Sequence, residues 1–374
     1  MTREMTLPWG ACPEILTEVR GRIGLITLNR PRALNALSLP MVRALAAALL
    51  AWRDDPQVQA VAIRGMGKEG PYGAFCAGGD IRFFHQAVLR GDAELEDFFT
   101  EEYALNHLIH HYPKPYIAFM DGVVMGGGMG ISQGASLRIV TPRSKMAMPE
   151  TNIGLFPDVG GGWFLARCPQ RGGEWLALTS EVIGAGDALA LQLADACFDH
   201  DRLVQACDAL AALPQVDASA LQAWQQAYVV SAPEATLPLQ TLARCFDQPD
   251  VLHIVQALEA EPGEWAANTV KALRTHSPLM LQVTLEQIRR GATMSLADEL
   301  RMERDMVRHS FNARHLDRFM QATDTMEGIR ALVIDKTRDP RWNPPRLEDL
   351  STEMVAGFFV SPWPAHAHPL AALR

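Results

Sequence analysis

The first apolar–polar alternation along the chain predicts a β-hairpin. Segments 14–20 and 22–29 flank Gly21, and Ile23 and Leu25 stand at alternate positions of the second segment. Such alternation turns one face of a strand toward a core and the other toward solvent. Because glycine readily adopts turn conformations, we expect the two segments to be antiparallel neighbours.

From Leu39 the apolar positions change to a helical period. They share one helical face and are Met41, Leu45, Ala48, Leu49 and Trp52. Asp54, Asp55 and Pro56 end this helix, and 58–64 is predicted to be a buried strand. Further helices are predicted over 81–90 and 95–111, with strands at 116–119 and 123–124. The order strand, strand, helix, strand brings the chain to a glycine-rich stretch.

Two glycine-rich stretches interrupt this pattern, at 65–81 and at 125–130. The second follows a strand and precedes a helix-like segment, an arrangement that presents free N–H groups and a positive dipole end to a ligand. A GxGxxG motif anchored at Gly126 would need glycine where Ile131 stands, and no GK[ST] sequence follows. These glycines therefore serve something other than a dinucleotide.

The segment 145–162, KMAMPETNIGLFPDVGGG, places Glu150 and Asp158 among apolar residues, two prolines and a triple glycine. Burial and a neighbouring carboxylate are the means by which proteins tune an acid or a base. The same residues are compatible with a surface loop that carries two solvated acids. The upstream glycine clusters favour the first interpretation.

Composition limits the class of partner. At 374 residues, 48% hydrophobic and 21% charged, the chain has the composition of a globular protein, and no apolar run approaches the roughly 20 residues that a bilayer needs. A formal charge of -9 gives no general electrostatic reason to bind nucleic acid or an acidic membrane. We expect a small-molecule partner. The first residues resemble neither a signal peptide nor a presequence, so we predict a cytoplasmic protein.

The cysteines and histidines predict no metal site. The six cysteines form no CxxC pair, which is typical of reduced thiols; they are Cys12, Cys76, Cys168, Cys197, Cys207 and Cys245. His107, His110 and His111 cluster on a predicted helix without an HExxH pattern. We interpret them as a solvated helix face.

Several motifs together resemble the crotonase (enoyl-CoA hydratase/isomerase) superfamily. They are GLITLNRPRALNAL, AFCAGGDI, KPYIAFMDGVVMGGGMGIS, MPETNIGLFPDVGGGWFLAR, SPLMLQVTLEQIRRG and EGIRALVIDKTRDPRWNPPRLEDL. The FPDVGGG block and the C-terminal blocks resemble its hydrolase branch. The resemblance implies an α/β crotonase-like spiral of ββα units over 1–200, carrying the CoA site, and a helical C-terminal region over 201–374.

The resemblance also assigns the catalytic groups. Gly79 and Gly127 match the two glycines whose N–H groups hold the oxyanion formed at a thioester carbonyl, each worth roughly 2.7–4 kcal/mol in the transition state. Glu150 matches the group that acts as a nucleophile or as a base for water, and Asp158 matches a group that assists and orients it. The sequence leaves both mechanisms open.

Two further positions bear on the substrate. Glu102 matches a substrate-binding acid that receives the acyl hydroxyl, although the residue alone is equally compatible with a solvated helical acid. Hydratases of this superfamily carry two glutamates, and the first of them matches Gly130 here. Water addition across a double bond therefore lacks one of its carboxylates in this chain.

The coenzyme A site is implied by the same resemblance. Backbone around Ala33 and Ala36 is expected near the pantetheine and adenine, with Ala77 and Asp80 along the substrate. Arg30 or Arg32 could meet the phosphates. Asp80 also has the position and residue type of a helix N-cap.

The resemblance implies hydrolysis of the thioester of 3-hydroxyisobutyryl-CoA, or of a closely related short 3-hydroxyacyl-CoA, as in valine breakdown. It implies no metal or redox cofactor, and it leaves a homo-oligomer open. Two alternatives remain: an enoyl-CoA hydratase or isomerase of the same fold, and a non-catalytic acyl-CoA-binding protein. Gly130 disfavours the first, whereas Glu150 together with Asp158 disfavours the second.

Overall fold

The hairpin around Gly21 starts the main sheet. The computed structural model describes residues 2–4 and 12–374. In it, β2 (Ile15–Arg20) and β3 (Ile23–Leu28) pair antiparallel, with Ile15 opposite Leu28. The short strand β1 (Thr2–Glu4) pairs antiparallel with the outer edge of β2. The predicted hairpin is confirmed.

The other strands are β4 (Ala60–Gly65), β5 (Tyr116–Met120), β6 (Val123–Met125), β7 (Leu137–Val140), β8 (Lys145–Ala147), β9 (Ala196–Cys197), β10 (Asn312–Ala313) and β11 (Arg318–Phe319). Within the described residues the main sheet has the order β1-β2-β3-β4-β5-β7-β9, and all of its pairs from β3 onward are parallel. The strands β6 and β8 form a separate pair, as do β10 and β11.

The helices are α1 (Leu39–Arg53), α2 (Ile81–Arg90), α3 (Glu94–His110), α4 (Gly127–Gln133), α5 (Gly161–Leu165), α6 (Gly172–Thr179), α7 (Ala185–Ala190), α8 (Leu203–Ala211), α9 (Ala218–Tyr228), α10 (Leu239–Phe246), α11 (Val251–Glu259), α12 (Glu264–Thr275), α13 (Pro278–Gly291), α14 (Leu296–Phe311), α15 (Asp324–Ile329) and α16 (Thr352–Ala356). Short 3-10 turns include Pro31–Ala33 and Glu150–Ile153.

The described chain divides into two compact units that interleave along the sequence. The first comprises the described residues up to Gly79 together with Leu105–Met146 and Val182–Thr236. The second comprises Asp80–Ala104, Ala147–Glu181 and Leu237–Arg374. The second unit thus joins two early segments to the C-terminal helices, and the functional division at residue 200 stays a prediction.

The first unit has its core on both faces of the main sheet. On one face, α8 and α9 bring Trp224 within 5.5 Å of Phe198 and 6.2 Å of Phe119, measured between ring centroids. From the other face, Trp52 of α1 lies so close to β3 that a Cβ at Gly24 would be 2.5 Å from its ring. Glycine is therefore required at that point of β3.

The second unit is helical, and its C-terminal helices support the segment 147–181. A Cβ added to Gly291, at the end of α13, would lie 2.4 Å from the Gly162 carbonyl oxygen. One added to Gly328, in α15, would lie 2.3 Å from the carbonyl oxygen of Ile153. Such close backbone approaches need glycine, and they fix the loops on either side of Asp158.

Most predicted elements are confirmed within two residues. The strand predicted from Val58 begins instead at Ala60. The Val58 side chain is buried, but its N–H closes a turn by donating to the Asp55 carbonyl.

None of the helices in the described part of the chain is long and apolar enough to cross a membrane.

The histidine cluster is less solvated than predicted. The rings of His107 and His111 stack with centroids 4.1 Å apart, and His107 is half-buried. His110 packs so tightly that a Cβ at Gly134 would be 2.7 Å from its ring.

The six cysteines, all within the described residues, are unbridged as predicted.

Candidate active site

In the first unit, the two glycine motifs lie beside each other. Cys76 forms a parallel bridge with Val124, and its carbonyl accepts the Met125 N–H at 2.9 Å. A Cβ at Gly128 would lie 2.4 Å from that same carbonyl oxygen. Only a residue without a side chain lets the start of α4 approach this loop so closely.

The approach continues to the predicted oxyanion groups. Gly78, at φ +101°, precedes Gly79, and a Cβ on it would lie 3.5 Å from the Gly127 nitrogen. Gly127 is the first residue of α4, where backbone N–H groups have no acceptor within the helix. The structure therefore brings the predicted pair into one backbone region, while its catalytic role stays a prediction.

The loop predicted to hold coenzyme A joins the same region. The Ala77 N–H donates to the Leu34 carbonyl at 3.0 Å, and the Leu37 N–H donates to the Gly78 carbonyl at 2.8 Å. Ala33 and Ala36 flank these bonds and are half-buried. Backbone hydrogen bonds thus tie the predicted nucleotide loop to the predicted oxyanion loop.

Asn35 organises this loop, and the sequence analysis missed it. It is buried at φ +56° and donates through Nδ2 to the carbonyls of Met66, at 3.0 Å, and Ala74, at 2.9 Å. Its Oδ1 accepts the Arg30 N–H at 2.8 Å. An asparagine that tolerates left-handed backbone and hydrogen-bonds locally is the available signal, because these are its ordinary turn properties.

Two of the charged residues predicted to contact coenzyme A, Arg30 and Asp80, have partners within the protein. Arg30 pairs with Glu14 at 3.1 Å and donates to the Ala36 carbonyl at 3.0 Å. Arg32 is exposed. The Asp80 side chain accepts the Phe83 N–H at 3.3 Å, which confirms it as the N-cap of α2. A phosphate contact by either arginine stays a prediction.

In the second unit, the three carboxyl groups predicted for the site are buried: Glu102 is 2% exposed, Glu150 7% and Asp158 6%. The Glu102 burial shows that the alternative of a solvated helical acid is wrong. Pro149 and the 3-10 turn Glu150–Ile153 set the Glu150 backbone, and its carbonyl accepts the Leu155 N–H at 3.0 Å. The surface-loop interpretation of Glu150 and Asp158 is wrong for the same reason.

Tyr103 is the hydrogen-bond partner of Asp158. Its hydroxyl donates to Asp158 Oδ2 at 2.7 Å. Aromatic contacts hold the tyrosine, whose ring centroid is 6.1 Å from that of Phe99, which in turn lies 5.9 Å from Phe311. The sequence alone gives Tyr103 no role, because its partner is 55 residues away.

Burial raises the pKa of all three acids. It raises the pKa of Asp158 to about 6, although the Tyr103 hydroxyl opposes the shift. The pKa of Glu150 is raised well above its usual range by burial and by the Asp158 charge. Burial, Asp158 and Glu150 do the same to Glu102. Because the charge of one carboxyl group raises the pKa of the others, ionisation of the cluster is coupled.

Two carboxyl oxygens of this cluster have no partner among the described protein atoms. They are Glu102 Oε1 and Glu150 Oε2, and both are buried. Buried polar atoms of a protein are normally hydrogen-bonded, and the exceptions concentrate where a substrate or water is handled. Glu150 therefore keeps an oxygen available for chemistry, and Glu102 keeps one available for a polar group.

The remaining site predictions concern absences. Gly130 lies inside α4 and provides no carboxylate. No group of three or more His, Cys, Asp or Glu side chains in the described chain could hold a metal ion. That the reaction needs no cofactor stays a prediction.

Comparison with known proteins identifies the family. A family model described as Enoyl-CoA hydratase/isomerase matches residues 23–359, and the chain belongs to that family. A Gallus gallus protein named 3-hydroxyisobutyryl-CoA hydrolase, mitochondrial, is 37% identical over 353 residues, which are 92% of this chain and 88% of the relative. The predicted family is confirmed.

Solved structures agree on the fold. The crystal structure of a carnitinyl-CoA dehydratase from Mycobacterium thermoresistibile is 36% identical, with a TM-score of 0.84 over 93% of this chain and 97% of that one. That of an enoyl-CoA hydratase from Rhodobacter sphaeroides 2.4.1 is 38% identical, with a TM-score of 0.82 over 93% and 98%. The predicted crotonase α/β fold is confirmed.

Proposed function

We propose that this protein hydrolyses the thioester of 3-hydroxyisobutyryl-CoA, or of a closely related short 3-hydroxyacyl-CoA, to the free hydroxy acid and coenzyme A. The observation that carries the proposal is the buried cluster in which Asp158 is held by Tyr103 while Glu150 keeps an unpartnered oxygen. Similarity to the Gallus gallus hydrolase over most of both chains supports it. The reaction would serve valine breakdown.

The chemistry assigns one role to each part. The N–H groups of Gly79 and Gly127 polarise the thioester carbonyl and stabilise the oxyanion. Glu150 then attacks the carbonyl carbon, or takes a proton from a water that attacks it. In either route the carbon–sulfur bond breaks, and coenzyme A leaves as a thiolate that gains a proton. In the first route water afterwards cleaves a mixed anhydride on Glu150.

Asp158 adjusts Glu150 in this proposal. Its charge raises the pKa of Glu150, which makes that carboxylate a stronger base once it is ionised. The Tyr103 hydroxyl fixes the direction in which Asp158 points. Tyr103 is thus a positioning residue.

A panel of acyl-CoA esters tests the substrate. We expect coenzyme A to be released from 3-hydroxyisobutyryl-CoA at least about tenfold faster, by kcat/KM, than from butyryl-CoA, because a buried polar group that loses its hydroxyl partner rejects the analogue. Thiol release is followed with a colorimetric reagent.

Variants of Glu101 and Glu102 test whether Glu102 recognises the acyl hydroxyl. Glu102→Leu should lose the preference for the hydroxylated chain, whereas Glu101→Gln, at the preceding position of α3, should keep it. Equal rates for hydroxylated and plain chains with the native protein would refute the substrate while leaving hydrolysis standing.

Hydratase activity is the second candidate, because the two similar crystal structures are titled as a dehydratase and a hydratase. Hydratases of this superfamily resemble this chain at the glycine motifs, but they carry a glutamate at the position of Gly130. Water addition across a double bond therefore lacks one of its two carboxylates here. Crotonyl-CoA therefore belongs in the panel. Loss of its conjugated absorbance at a rate matching thioester cleavage would favour the hydratase.

The pH profile tests the acid cluster. Because the reaction needs Glu150 ionised, and burial and the Asp158 charge raise the pKa of Glu150, kcat/KM should rise about tenfold per pH unit along an acidic limb that lies above the usual range of a glutamate. Asp158→Asn removes a charge that raises the pKa of Glu150, so its acidic limb should move to lower pH. Rates measured from pH 4.5 to 8 decide this, and identical limbs would contradict the coupling.

Location and assembly rest on the sequence. The cytoplasmic prediction is retained as a proposal, although the Gallus gallus relative is named as mitochondrial. A homo-oligomer is likewise a proposal, and light scattering of the purified protein measures it directly.

A further inference from the structure

Helix α14 carries a pair of buried acids to which the proposed reaction assigns no role. Glu299 and Glu303 are both 0% exposed. They stand four residues apart, so they share one face of the helix. The sequence LADELRMERDMVRHSF contains charges on several positions and gave no reason to separate these two from a solvated face.

Glu303 holds the backbone that follows Asp158. Its Oε2 accepts the Gly160 N–H at 2.8 Å, and its Oε1 accepts the Gly162 N–H at 3.2 Å. Gln287 of α13 donates to Glu303 Oε1 at 3.0 Å and to the Pro157 carbonyl at 2.7 Å. The two side chains therefore hold both ends of the turn 157–162, and Asp158 lies between them.

This turn is strained. Val159 has φ +60° and is buried, and a β-branched residue is rarely found in the left-handed region. Such a conformation persists only where the surroundings over-determine it. The hydrogen bonds of Glu303 and Gln287 on either side of Val159 are the contacts that do so.

The pair also explains a glycine of the FPDVGGG motif. A Cβ on Gly162 would lie 2.3 Å from Glu299 Oε1 and 3.1 Å from Gln287 Nε2. Glycine is therefore required there because the acid pair and its amide partner occupy the space. The FPDVGGG motif and α14 therefore pack together closely, although they are far apart in sequence.

The Glu303 carboxyl group is well supplied with hydrogen-bond donors. It receives three N–H donors, from Gly160, Gly162 and Gln287. Burial and Glu299 raise the pKa of Glu303 well above its usual range, although the Gly160 N–H opposes the shift. Burial raises the pKa of Glu299 to about 7.

Other charged groups act on Glu299 and Glu303. Asp158 raises the pKa of both acids, and Arg167 lowers that of Glu299. The charges of Glu303 and Asp158 both raise the pKa of Tyr103. Glu303 and Asp158 are therefore electrostatically coupled as well as joined by the turn.

We propose that Glu303 is a positioning residue that sets the place of Asp158 through the turn 157–162. The kinetic part rests on the proposed hydrolysis. The structural part does not, and it is measured separately.

The first experiment replaces Glu303 with Gln, which keeps the shape but presents an amide N–H where a backbone N–H must be accepted. We expect kcat to fall about ten- to hundredfold with little change in KM. In the Asp158→Asn background the same change should cost little more, because Glu303 acts through Asp158. Glu286→Gln, an exposed pair partner of Arg290 on α13, is the matched control.

Hydrogen–deuterium exchange of the peptide 157–165 is the readout that needs no turnover. Glu303→Gln should accelerate exchange there, while Glu286→Gln should not. Unchanged exchange, or full additivity with Asp158→Asn, would overturn the positioning role. If the native protein releases no coenzyme A, the proposed function fails while this readout still decides the inference.

Discussion

Thioester hydrolysis by the Glu150→Gln variant should be about a hundred- to ten-thousandfold slower than by the native protein. The amide keeps the shape of the side chain but can neither attack the carbonyl nor take a proton from water. The Oε2 atom of Glu150 has no protein partner in the described chain, so its removal breaks no other hydrogen bond. Thiol release from 3-hydroxyisobutyryl-CoA measures the loss.

Three controls give this result its meaning. Binding of coenzyme A, measured by calorimetry, should be largely retained, and Glu181→Gln, an exposed glutamate in the same unit, should be as active as the native protein. The Glu150→Gln/Asp158→Asn double variant should be hardly slower than Glu150→Gln alone, because groups acting as a unit are non-additive. Undiminished release by Glu150→Gln would remove Glu150 from the reaction.

The Gly127→Pro variant should lose about a hundredfold or more in turnover. Proline removes one N–H donor from the oxyanion, and a single such donor is typically worth that much. Because Gly127 is the first residue of α4, proline suits the helix at this position. The loss is therefore expected in kcat without unfolding, which circular dichroism checks.

Gly127→Ala provides the comparison for this prediction. Alanine keeps the N–H while adding a methyl group, so it should retain more turnover than proline. A proline variant that is folded and as fast as the alanine variant would show that the N–H of Gly127 takes no part in catalysis.

The sequence predicted the elements whose signal is local. Alternation gave the hairpin of β2 and β3, and the helical period gave α1. The glycine motifs and Glu150 were predicted as a site because unusual residue types cluster there along the chain. The resemblance then separated the hydrolase branch from the hydratases through Gly130.

What the sequence could not provide were the long-range partners. Tyr103, Gln287 and Glu303 have ordinary helical surroundings, and nothing local states that they face a buried turn. Whether Glu102 is solvated or buried depends on which face of α3 packs, and its neighbour Glu101 has the same residue type. Such choices are decided by tertiary packing.

Gly160 and Glu303 are 143 residues apart in the chain, so the two ends of their hydrogen bond are synthesised at different times. At about 5–20 residues per second of synthesis, the acid-bearing turn emerges from the ribosome roughly 7–30 s before α14 exists to hold it. Until then the hydrogen bonds to Glu303 are absent, so nothing on α14 holds Val159 in the left-handed conformation or fixes the direction of the Asp158 side chain. Catalytic competence therefore arrives last, only after the C-terminal helices have been made and have folded onto a segment completed long before.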